Sequence, residues 1–547
     1  MQKFVFLLFL VGLFASCKTS QTPTNGSIRL NSLGYTPHGI KKATLLSSSA
    51  TFKIIDAQNH ITVFKGKALG PNYQPDVAQQ VYVADFTELT RAGTYYLKNQ
   101  NGVCSPVFTI GKPVYDSAFY TAMRGFYLWR CGTEVMGVHR NDTFKQEACH
   151  LNDGWLDYTE FGNKHKDGTG GWHDAGDYGK YTVNSGITMG LLFFTWNSFE
   201  SKLKSVSLDI PNTANRLPDF LKELKWETDW LLKMEYPDTS GRVSHKLTRL
   251  SFSGFVMPEK DTAQRYFTSW STSATAHFAA VMAQAARYFK PYDSVYAQTC
   301  LDAASRAYRC LQNHPKYKKW EQPEFSTGGY QTHDADARLW AAVELWETTG
   351  NVHYLTDFES SIIKTDPAVD LNWDWQNVKN LGVFTYLLSK KEGRNESLKK
   401  QLTESLLQIA DSIVWYTDTD VYGRPFNQYY WGCNGTVARL ASNLYVAFSL
   451  SGKQKYKNAN DQIVAHLFGR NYYGRSYVTG LGFNPPMHPH DRRSGADNSS
   501  APWPGYLVGG GHTANDWIDE EASYSHNEIA INWQASLVYA LAFAMSE

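Results

Sequence analysis

The chain has 547 residues, and its 53 Lys and Arg residues against 52 Asp and Glu residues give a formal net charge of +1. A chain of this length is too long for one ordinary core and predicts two domains, one of them large. The balanced charge argues against a nucleic-acid partner, because no basic excess is present to neutralise phosphates. Aromatic residues make up 14% of the chain, which fits an aromatic core and also a cleft whose rings face flat apolar ligand surfaces.

The N-terminus is typical of an export signal, in which Lys3 precedes the apolar run at 4–15. This run is too short to span a bilayer as a permanent helix. It ends in Ala-Ser-Cys at Cys17, which resembles a bacterial lipobox, so residues 1–17 are predicted to be a lipoprotein signal peptide and Cys17 to be lipidated. The alternative is plain secretion with an incidental cysteine. Residues 18–26 are a polar linker, and the predicted location is the outer membrane, on its cell-surface or periplasmic face.

Short β-branched or aromatic runs follow from residue 27 to residue 112, separated by Gly, Asn and Pro at intervals of about 8–15 residues. They are SIRLNSLGY, KATLLSS, TFKIIDA, QQVYVADF and GTYYLKN. This pattern predicts an all-β, immunoglobulin-like sandwich at 27–112. No group of residues in it suggests chemistry.

From about residue 115 onward the pattern becomes helical. The segment at 219–234 places Phe220, Leu221, Leu224 and Leu231 at helical spacing. Further helices are expected near 115–130, 182–198, 272–290, 295–313, 334–350, 375–390, 397–416, 435–451, 454–468 and 527–545. Eleven or twelve helices without intervening strands predict an all-α toroid of paired helices over 115–547, with the loops at one end forming a cleft.

Residues 171–182, GGWHDAGDYGKY, set two carboxylates, Asp174 and Asp177, among aromatic residues and glycines. Aspartates in such a segment are poor helix formers, so a loop is expected. Two carboxylates on one loop can reach the same water molecule, which suits a general base for hydrolysis. The alternative is an acidic, Gly-rich turn, such as a calcium loop.

The C-terminal region carries a second acidic segment, in which Asp519 and Glu528 are separated by aromatic and small residues. Glu528 is expected in the first turn of the last helix with Asn527 as its N-cap, and that capping role is the alternative to catalysis. A catalytic acid here would need a raised pKa, which a partly apolar site can supply. Upstream, His490 and Arg492 are candidates for hydrogen bonds to a polar ligand.

Together, the D-A-G-D loop, the P-H-D-R loop around His490 and the terminal D…N-E segment closely resemble glycoside hydrolase family 9 over nearly the whole mature chain. Other matching stretches are NRLPDFLKELKWETDWLLKM, SGFVMPEKDTAQRY, DADARLWAAVELWETTGN and PGYLVGG. The resemblance implies an N-terminal immunoglobulin-like sandwich, an (α/α)6 barrel and an inverting β-glycosidase acting mainly on β-1,4-glucans.

By this resemblance Asp177 is the general base, Asp174 helps to hold the nucleophilic water, and Glu528 is the general acid. Asp519 matches the carboxylate that accompanies the acid, while His490 and Arg492 match residues that contact the sugar. The aromatic residues expected to bind sugar are Trp172, Tyr178, Trp431 and Tyr524. Asp491, Asn532 and Gln534 depart from the family pattern, which affects substrate contacts and not the acid–base pair.

A metal site is predicted at Cys131, Cys149, His150 and His173, because two thiolates and two imidazoles are a good ligand set for structural zinc. Some family members with the immunoglobulin-like domain hold zinc with this pattern. The alternative is a Cys131–Cys149 disulfide, which leaves the histidines unexplained. Calcium is also frequent in the family, and acidic loops such as 333–337 are candidates without a defined site.

Three functions are compatible with these residues. The first is an endo-acting β-1,4-glucanase, expected to be a monomer, for xyloglucan, mixed-linkage glucan or amorphous cellulose. The second is an exo-acting β-glucosidase or β-glucosaminidase on cello- or chito-oligosaccharides. The third is a non-catalytic glycan-binding surface protein, which the presence of Asp174, Asp177 and Glu528 argues against.

Overall fold

A computed structural model of the chain describes residues 26–211 and 216–545. The predicted signal peptide with Cys17, and residues 18–25 of the predicted linker, lie outside the described residues. Among the helices in the described ranges, none is both long enough and apolar enough to cross a bilayer.

The N-terminal part is an antiparallel β-sandwich, as predicted. Its strands lie in the hydrogen-bonded order β1-β2-β5-β4-β3-β6-β7, so the fourth strand joins the two halves. Inward-facing apolar side chains, such as those of Phe52, Ile54 and Leu97, form a core of their own. The strands are β1 Ile28–Arg29, β2 Lys42–Leu45, β3 Thr51–Asp56, β4 Thr62–Gln74, β5 Gln79–Asp85, β6 Gly93–Asn99 and β7 Phe108–Ile110.

The longest strand, β4, was not predicted. Its first half pairs with β3, and its second half pairs with β5 after an irregularity between Leu69 and Asn72. The strand is largely exposed and contains Gly70 and Pro71, which a sequence pattern assigns to a turn. Pairing on both edges therefore outweighs local propensity.

The rest of the chain is mainly helical. The helices are α1 Asp116–Leu128, α2 Thr182–Leu203, α3 Asp219–Lys233, α4 Thr272–Phe289, α5 Ser294–Asn313, α6 Ala335–Thr349, α7 Val352–Ile362, α8 Lys379–Leu388, α9 Glu396–Thr419, α10 Cys433–Ser451, α11 Gln454–Leu467, α12 Tyr524–Asn527 and α13 Ile531–Met545.

These helices form the predicted (α/α)6 barrel. The inner ring runs α2, α4, α6, α8, α10 and α13, and α13 packs back against α2 to close it. The outer helices α1, α3, α5, α7, α9 and α11 each pack against an inner helix. The last inner helix, α13, is buried on every side, whereas α3 buries only one face, as expected of inner and outer positions.

Two features of the helical part differ from the sequence prediction. Helix α7 was missed, because it is only eleven residues long and buries just Leu355, Phe358 and Ile362. The expectation that no strands intervene was wrong: the strands are β8 Val135–His139, β9 Asp142–Gln146, β10 Lys180–Tyr181, β11 Lys246–Thr248 and β12 Tyr266–Phe267. They are too short to give a periodic signal, and they stiffen the loops.

The long loops all lead into the N-terminal ends of inner helices. They span 129–181, 234–271, 314–334, 363–378, 420–432 and 468–530, whereas most connections in the other direction are short. The candidate site residues lie in these loops. The N-terminal ends of the inner helices carry partial positive charge, which suits a site rich in carboxylates.

The sandwich is attached to the barrel through buried polar contacts. The Arg470 guanidinium, which follows α11, donates to Val421 O at 2.9 Å, to Gln462 Oε1 at 3.0 Å and to Thr44 Oγ1 of β2 at 3.2 Å. Asn31 of the sandwich donates to the Tyr115 hydroxyl at 3.2 Å. Both the arginine and its acceptors are buried, so loss of the arginine would leave Gln462 Oε1 without this donor, while Val421 O would keep the Thr44 hydroxyl as a donor.

Replacement of Arg470 by Met is expected to lower the free energy of unfolding by about 2 kcal/mol or more, because buried Gln462 Oε1 loses its donor and the link to Thr44 of the sandwich is lost. Urea unfolding followed by fluorescence measures this. Lys400→Met on the exposed face of α9 is the control, with an expected change within about 0.5 kcal/mol. Equal urea midpoints for the two variants would contradict the anchoring role of Arg470.

Candidate active site

Three distant segments meet at the centre of the barrel's loop end. The Ile531 N–H donates to Asp174 O at 2.9 Å, and the His490 N–H donates to Asn527 O at 2.8 Å. The Arg492 N–H donates to Gly176 O at 3.2 Å and completes the connection. These backbone bonds bring three segments together: residues 171–182 (the acidic loop), residues 477–494 (the histidine loop) and the segment before α13.

Gly176 is required by this close approach. A Cβ built on Gly176 would lie 2.1 Å from His490 O, which is far inside van der Waals contact. A side chain at this position would push the two loops apart. The glycine of the D-A-G-D motif therefore serves packing between the two loops.

Asp174 is buried with both carboxylate oxygens occupied. Asn184 of α2 donates to Oδ1 at 2.7 Å, and the Tyr330 hydroxyl donates to Oδ2 at 2.6 Å. Burial raises the pKa of Asp174 well above its usual range, and the neighbouring Asp177 charge acts in the same direction. The two hydrogen bonds therefore hold the Asp174 carboxyl group in place, with each oxygen already accepting one donor.

Asp177 has a different environment. Its Oδ2 accepts from the Gly179 N–H and from the Tyr181 hydroxyl, both at 2.9 Å. Its Oδ1 accepts no hydrogen bond from the part of the chain that the structure describes, and this oxygen is not sealed from solvent. One oxygen is thus anchored and the other is available to a water molecule.

Glu528 lies at the C-terminal end of α12 in an extended conformation, and α13 begins only at Ile531. The expectation that Glu528 occupies the first turn of the last helix, capped by Asn527, was therefore wrong. The side chain is half-buried, and burial raises the pKa of Glu528 well above its usual range. The charges of Asp177 and Asp174 raise this pKa further, whereas Arg492 lowers it.

The two polar residues of the histidine loop are positioned by backbone carbonyls. The His490 ring donates from Nδ1 to Glu521 O at 2.7 Å, and burial lowers its pKa. The neutral ring is left with Nε2 as an acceptor. Arg492 is buried and donates to Gly176 O at 2.6 Å and to Ser253 O at 3.0 Å, so much of its guanidinium supports the loops.

Asp519 braces the loop that precedes the acid. It accepts from the Met487 N–H at 2.9 Å, from the His488 N–H at 2.9 Å and from Arg475 at 2.7 Å. Burial alone would raise its pKa, but these donors lower it. Asn527 also donates to Asp519, at 3.2 Å. The carboxylate therefore orders the chain on either side of His490 and Glu528.

The four predicted sugar-binding aromatics divide into two pairs. Trp431 and Tyr524 are 46% and 54% exposed, with ring centroids 5.4 Å apart, and Tyr524 lies beside His490. Trp172 and Tyr178 are only 1% and 4% exposed, so the structure places them among the buried side chains and not at the open surface of the cleft. The Trp172 indole donates into the core, and the Tyr178 ring packs on a histidine pair.

The residues that depart from the family pattern are buried and hydrogen-bonded, although Asn532 Oδ1 has no donor among the described residues. Asp491 pairs with Arg493 at 3.1 Å, and Asn532 donates to Asp374 at 2.8 Å. Gln534 donates to two backbone carbonyls. These side chains support neighbouring loops.

Several residues at the site were not predicted individually. Tyr181 lies inside the quoted GGWHDAGDYGKY loop, so its spacing from Asp177 was a usable signal. Tyr330 comes from the loop before α6, and no local pattern marks it. Phe252 and Phe255 are exposed aromatics beside Arg492, at 5.5 and 5.7 Å from its guanidinium. Their place at the cleft follows only from the fold.

The predicted metal ligands come together in one cluster. One donor atom from each of Cys131, Cys149, His150 and His173 lies within 4.8 Å of all the others. Three of the edges are 3.6 Å from Cys131 Sγ to His150 Nδ1, 3.8 Å from Cys149 Sγ to His173 Nε2, and 3.4 Å between the two nitrogens. A tetrahedral zinc site with bonds of about 2.0–2.3 Å has edges of about 3.3–3.8 Å. The donors therefore fit zinc, and both cysteines are free thiols in the structure.

This cluster is continuous with the acidic loop. The Cys131 N–H donates to Gly171 O at 2.8 Å, and the His173 N–H donates to Trp129 O at 2.9 Å. Burial lowers the pKa of His173 to about 4, so the ring is neutral, as a metal ligand must be. Asp261 lies 3.5 Å from His150 Nε2, where a carboxylate orients a ligating imidazole.

The acidic side chains at 333–337, proposed above as calcium candidates, are engaged with cationic side chains. Asp334 pairs with Arg338 at 2.8 Å, and the charge of Lys379 acts on Asp336. In the two described ranges, the cysteine–histidine cluster is the only group of three or more Cys, His, Asp or Glu side chains close enough to share one ion.

Comparison with known proteins agrees with this arrangement. Residues 115–541 match Glycosyl hydrolase family 9, and residues 23–102 match the Cellulase N-terminal ig-like domain. Endoglucanase D of Acetivibrio thermocellus is 50% identical over 518 residues, which cover 94% of this chain and 83% of that protein.

One further relative and one solved structure are relevant to the substrate and to the metal. A xyloglucan-specific endo-beta-1,4-glucanase of Bacteroides ovatus is 33% identical over 583 residues, covering 98% of this chain and 97% of that protein. A solved structure described as a Zn-binding triple mutant of GH family 9 endoglucanase J30 has a TM-score of 0.86 at 30% identity, covering 93% of this chain and 99% of that chain.

Proposed function

The chain belongs to glycosyl hydrolase family 9, and from this we propose that it is an inverting endo-β-1,4-glucanase with Asp177 as general base and Glu528 as general acid. The observation that carries the assignment is the difference between the two aspartates. Both oxygens of Asp174 accept strong hydrogen bonds, whereas Asp177 keeps Oδ1 free. Asp177 Oδ1 is therefore the oxygen of this pair that is open to a water molecule, and we assign it as the proton acceptor.

In the proposed reaction, the water oxygen attacks the anomeric carbon as Asp177 Oδ1 removes a water proton. The bond from the anomeric carbon to the leaving oxygen breaks, and Glu528 gives its proton to that oxygen. The raised pKa of Glu528 keeps the carboxyl protonated for this step. Solvent then removes the proton from Asp177 and returns one to Glu528. Inversion needs room for water, so the two carboxyl groups are expected to stand about 6.5–9.5 Å apart.

We propose a soluble or branched β-1,4-glucan, xyloglucan among them, as the substrate. Support comes from the exposed rings of Trp431 and Tyr524, which offer stacking surfaces beside His490, and from the xyloglucan-specific relative. The free Nε2 of His490 accepts from a sugar hydroxyl in this arrangement. A reducing-sugar assay on a glycan panel, with sizing of the products, tests the proposal: internal cuts giving mixed oligosaccharides support it, and single terminal units point to the exo-acting alternative.

The reaction is expected to release the α-anomer first from a β-glucan, because water attacks the face opposite the leaving group. Proton NMR during the first turnovers, before mutarotation, distinguishes the two anomers. Early accumulation of the β-anomer would contradict the inverting mechanism.

Glu528→Gln is expected to lower kcat on unactivated glucans by at least about 100-fold, because the amide keeps the shape of the acid but has no proton to transfer. Asp177→Asn is expected to be at least as severe. Steady-state kinetics measures both, and Glu520→Gln, an exposed neighbour, is the control with near-normal turnover. Near-normal turnover in either test variant would show that the acid or base has been wrongly assigned.

We also propose that the cluster of Cys131, Cys149, His150 and His173 binds one structural zinc ion that braces the acidic loop. The donor set, its edges and the neutral His173 support this. His173 directly precedes Asp174, and the chain segments that contain Cys131 and His173 are hydrogen-bonded to each other through their backbones. The ion would therefore limit motion of the loop that carries the base.

Elemental analysis of the purified protein is expected to give about one zinc per chain. Cys149→Ser is expected to lose the metal and to lower the melting temperature, while Cys300→Ser, a buried thiol outside the cluster, retains it. Peptide mapping tests the alternative: detection of a Cys131–Cys149 disulfide in protein without bound metal would refute the zinc site.

Finally, we propose that Cys17 carries a lipid anchor that holds the enzyme at the outer membrane. The short apolar run before a small-small-Cys junction supports this. Two or three acyl chains bind a membrane stably where one does not. The polar residues 18–26 would then act as a tether that lets the enzyme reach glycans near the envelope.

Cell fractionation is expected to find the wild-type protein with membranes and Cys17→Ala in the soluble fraction. Protease accessibility of intact cells then separates the cell-surface face from the periplasmic face. Wild-type protein found only in the soluble fraction would refute the anchor and leave plain secretion.

A further inference from the structure

The proposed base, Asp177, accepts a hydrogen bond from Tyr181 in the two-residue strand β10. Tyr181 in β10 lies opposite Lys246 in β11 in an antiparallel register. The Tyr181 hydroxyl donates to Asp177 Oδ2 at 2.9 Å and accepts from the Gly328 N–H at 3.2 Å. It therefore has one acceptor and one donor, which fixes the direction of its proton toward the carboxylate.

Lys246 is fully buried, and its ammonium group meets only neutral oxygens. It donates to Thr327 Oγ1 at 2.9 Å, to Gly328 O at 2.9 Å and to Thr327 O at 3.3 Å. The ammonium also lies over the Trp320 ring at 4.2 Å. Among the residues that the structure describes, no carboxylate forms an ion pair with it.

An unpaired buried cation is costly, so its presence needs a reason. Lys180, the neighbour of Tyr181 in β10, is equally buried but pairs with Asp153 at 3.0 Å. For Lys246, the carboxylate whose charge acts on the ammonium is Asp177. Burial lowers the pKa of Lys246 to about 7, and Asp177 opposes this shift.

Other charged groups also lie around the base. Asp174 and Glu528 place two further carboxyl groups close enough to act on Asp177. His245, next to Lys246, is buried and neutral, since burial lowers its pKa to about 4. Arg249 and Arg265 line the same cavity as Asp177, but they pair with Asp261 at 2.6 Å and with Asp153 at 3.3 Å, and Arg492 donates to Gly176 O beside the base. Lys246 differs from the two paired arginines because it has no carboxylate partner of its own in the part of the chain that the structure describes.

We propose that Tyr181 and Lys246 are positioning residues for the base: Tyr181 holds Asp177 Oδ2 so that Oδ1 faces the attacking water, and the Lys246 ammonium favours the ionised carboxylate. This inference rests on the proposed role of Asp177 as general base. The proton still passes from water to Oδ1, and neither Tyr181 nor Lys246 exchanges a proton with the substrate. Their effect is on the geometry and charge of the acceptor.

The test is the pH dependence of kcat/KM for two variants of the full-length enzyme. In Lys246→Met the acid limb is expected to move to higher pH by about one unit, because a nearby opposite charge favours the ionised form of a carboxyl group. In Tyr181→Phe the limb is expected to move in the same direction, with kcat lowered about tenfold and KM within about twofold, since the change acts on the base and not on sugar binding.

Two controls match these substitutions. Lys318→Met removes another lysine whose ammonium lies over a tryptophan ring, 5.0 Å from the ring of Trp270. Tyr266→Phe removes an exposed hydroxyl on β12. Neither is expected to move the acid limb. Lys246→Arg, which keeps the charge, is expected to return the limb toward the wild-type position.

The outcomes separate this inference from the proposed function. Unchanged acid limbs in both Tyr181→Phe and Lys246→Met, in folded protein of normal melting temperature, overturn the positioning role. If Lys246→Met does not fold, Tyr181→Phe, which removes only one oxygen atom, decides the matter alone. Retained activity in Asp177→Asn instead overturns the assignment of the base, whatever the two positioning variants do.

Discussion

Backbone hydrogen bonds between three distant segments hold the acid and the base in one place. The bonds from Ile531 to Asp174 and from Arg492 to Gly176 join parts of the chain that are separated by hundreds of residues, and the bond from His490 to Asn527 adds the loop around His490. Because they are backbone bonds, they fix where Cα atoms lie and leave the side chains free to face the cleft. Gly176 permits this approach, since any Cβ there would strike His490 O. The distance between acid and base is thus a property of the fold.

The same close approach creates an electrostatic problem, because three carboxyl groups share one buried region. The protein handles each group differently. Asn184 and Tyr330 each donate to one oxygen of Asp174, while Asp177 has one oxygen anchored and one free. Glu528 lies where burial favours the neutral acid. Three chemically similar side chains therefore have three different hydrogen-bonding environments, which suits three different roles.

The surrounding architecture supplies rigidity from two sides. The cysteine–histidine cluster lies directly before the acidic loop and is hydrogen-bonded to it through Cys131 and His173. On another side of the barrel, Arg470 ties the β-sandwich to the turn after α11. Backbone bonds join the acidic loop to the histidine loop and to the segment before α13, so an element that fixes one of these loops also restrains the others. A site built from loops can keep a defined geometry in this way.

The sequence alone determined the class of each part. Alternating β-branched runs predicted the sandwich, helical spacing predicted most barrel helices, and the motifs around Asp177, His490 and Glu528 led to the family, because these signals are local. Other features were decided only by tertiary structure. Strand β4 forms by pairing on both edges, and Glu528 precedes the last helix because the bridge to His490 holds it extended. Trp172 turned out to be core, whereas Tyr330 reaches Asp174 from another loop. Burial, pairing and hydrogen-bond partners depend on residues far away in the chain, so no local pattern contains them.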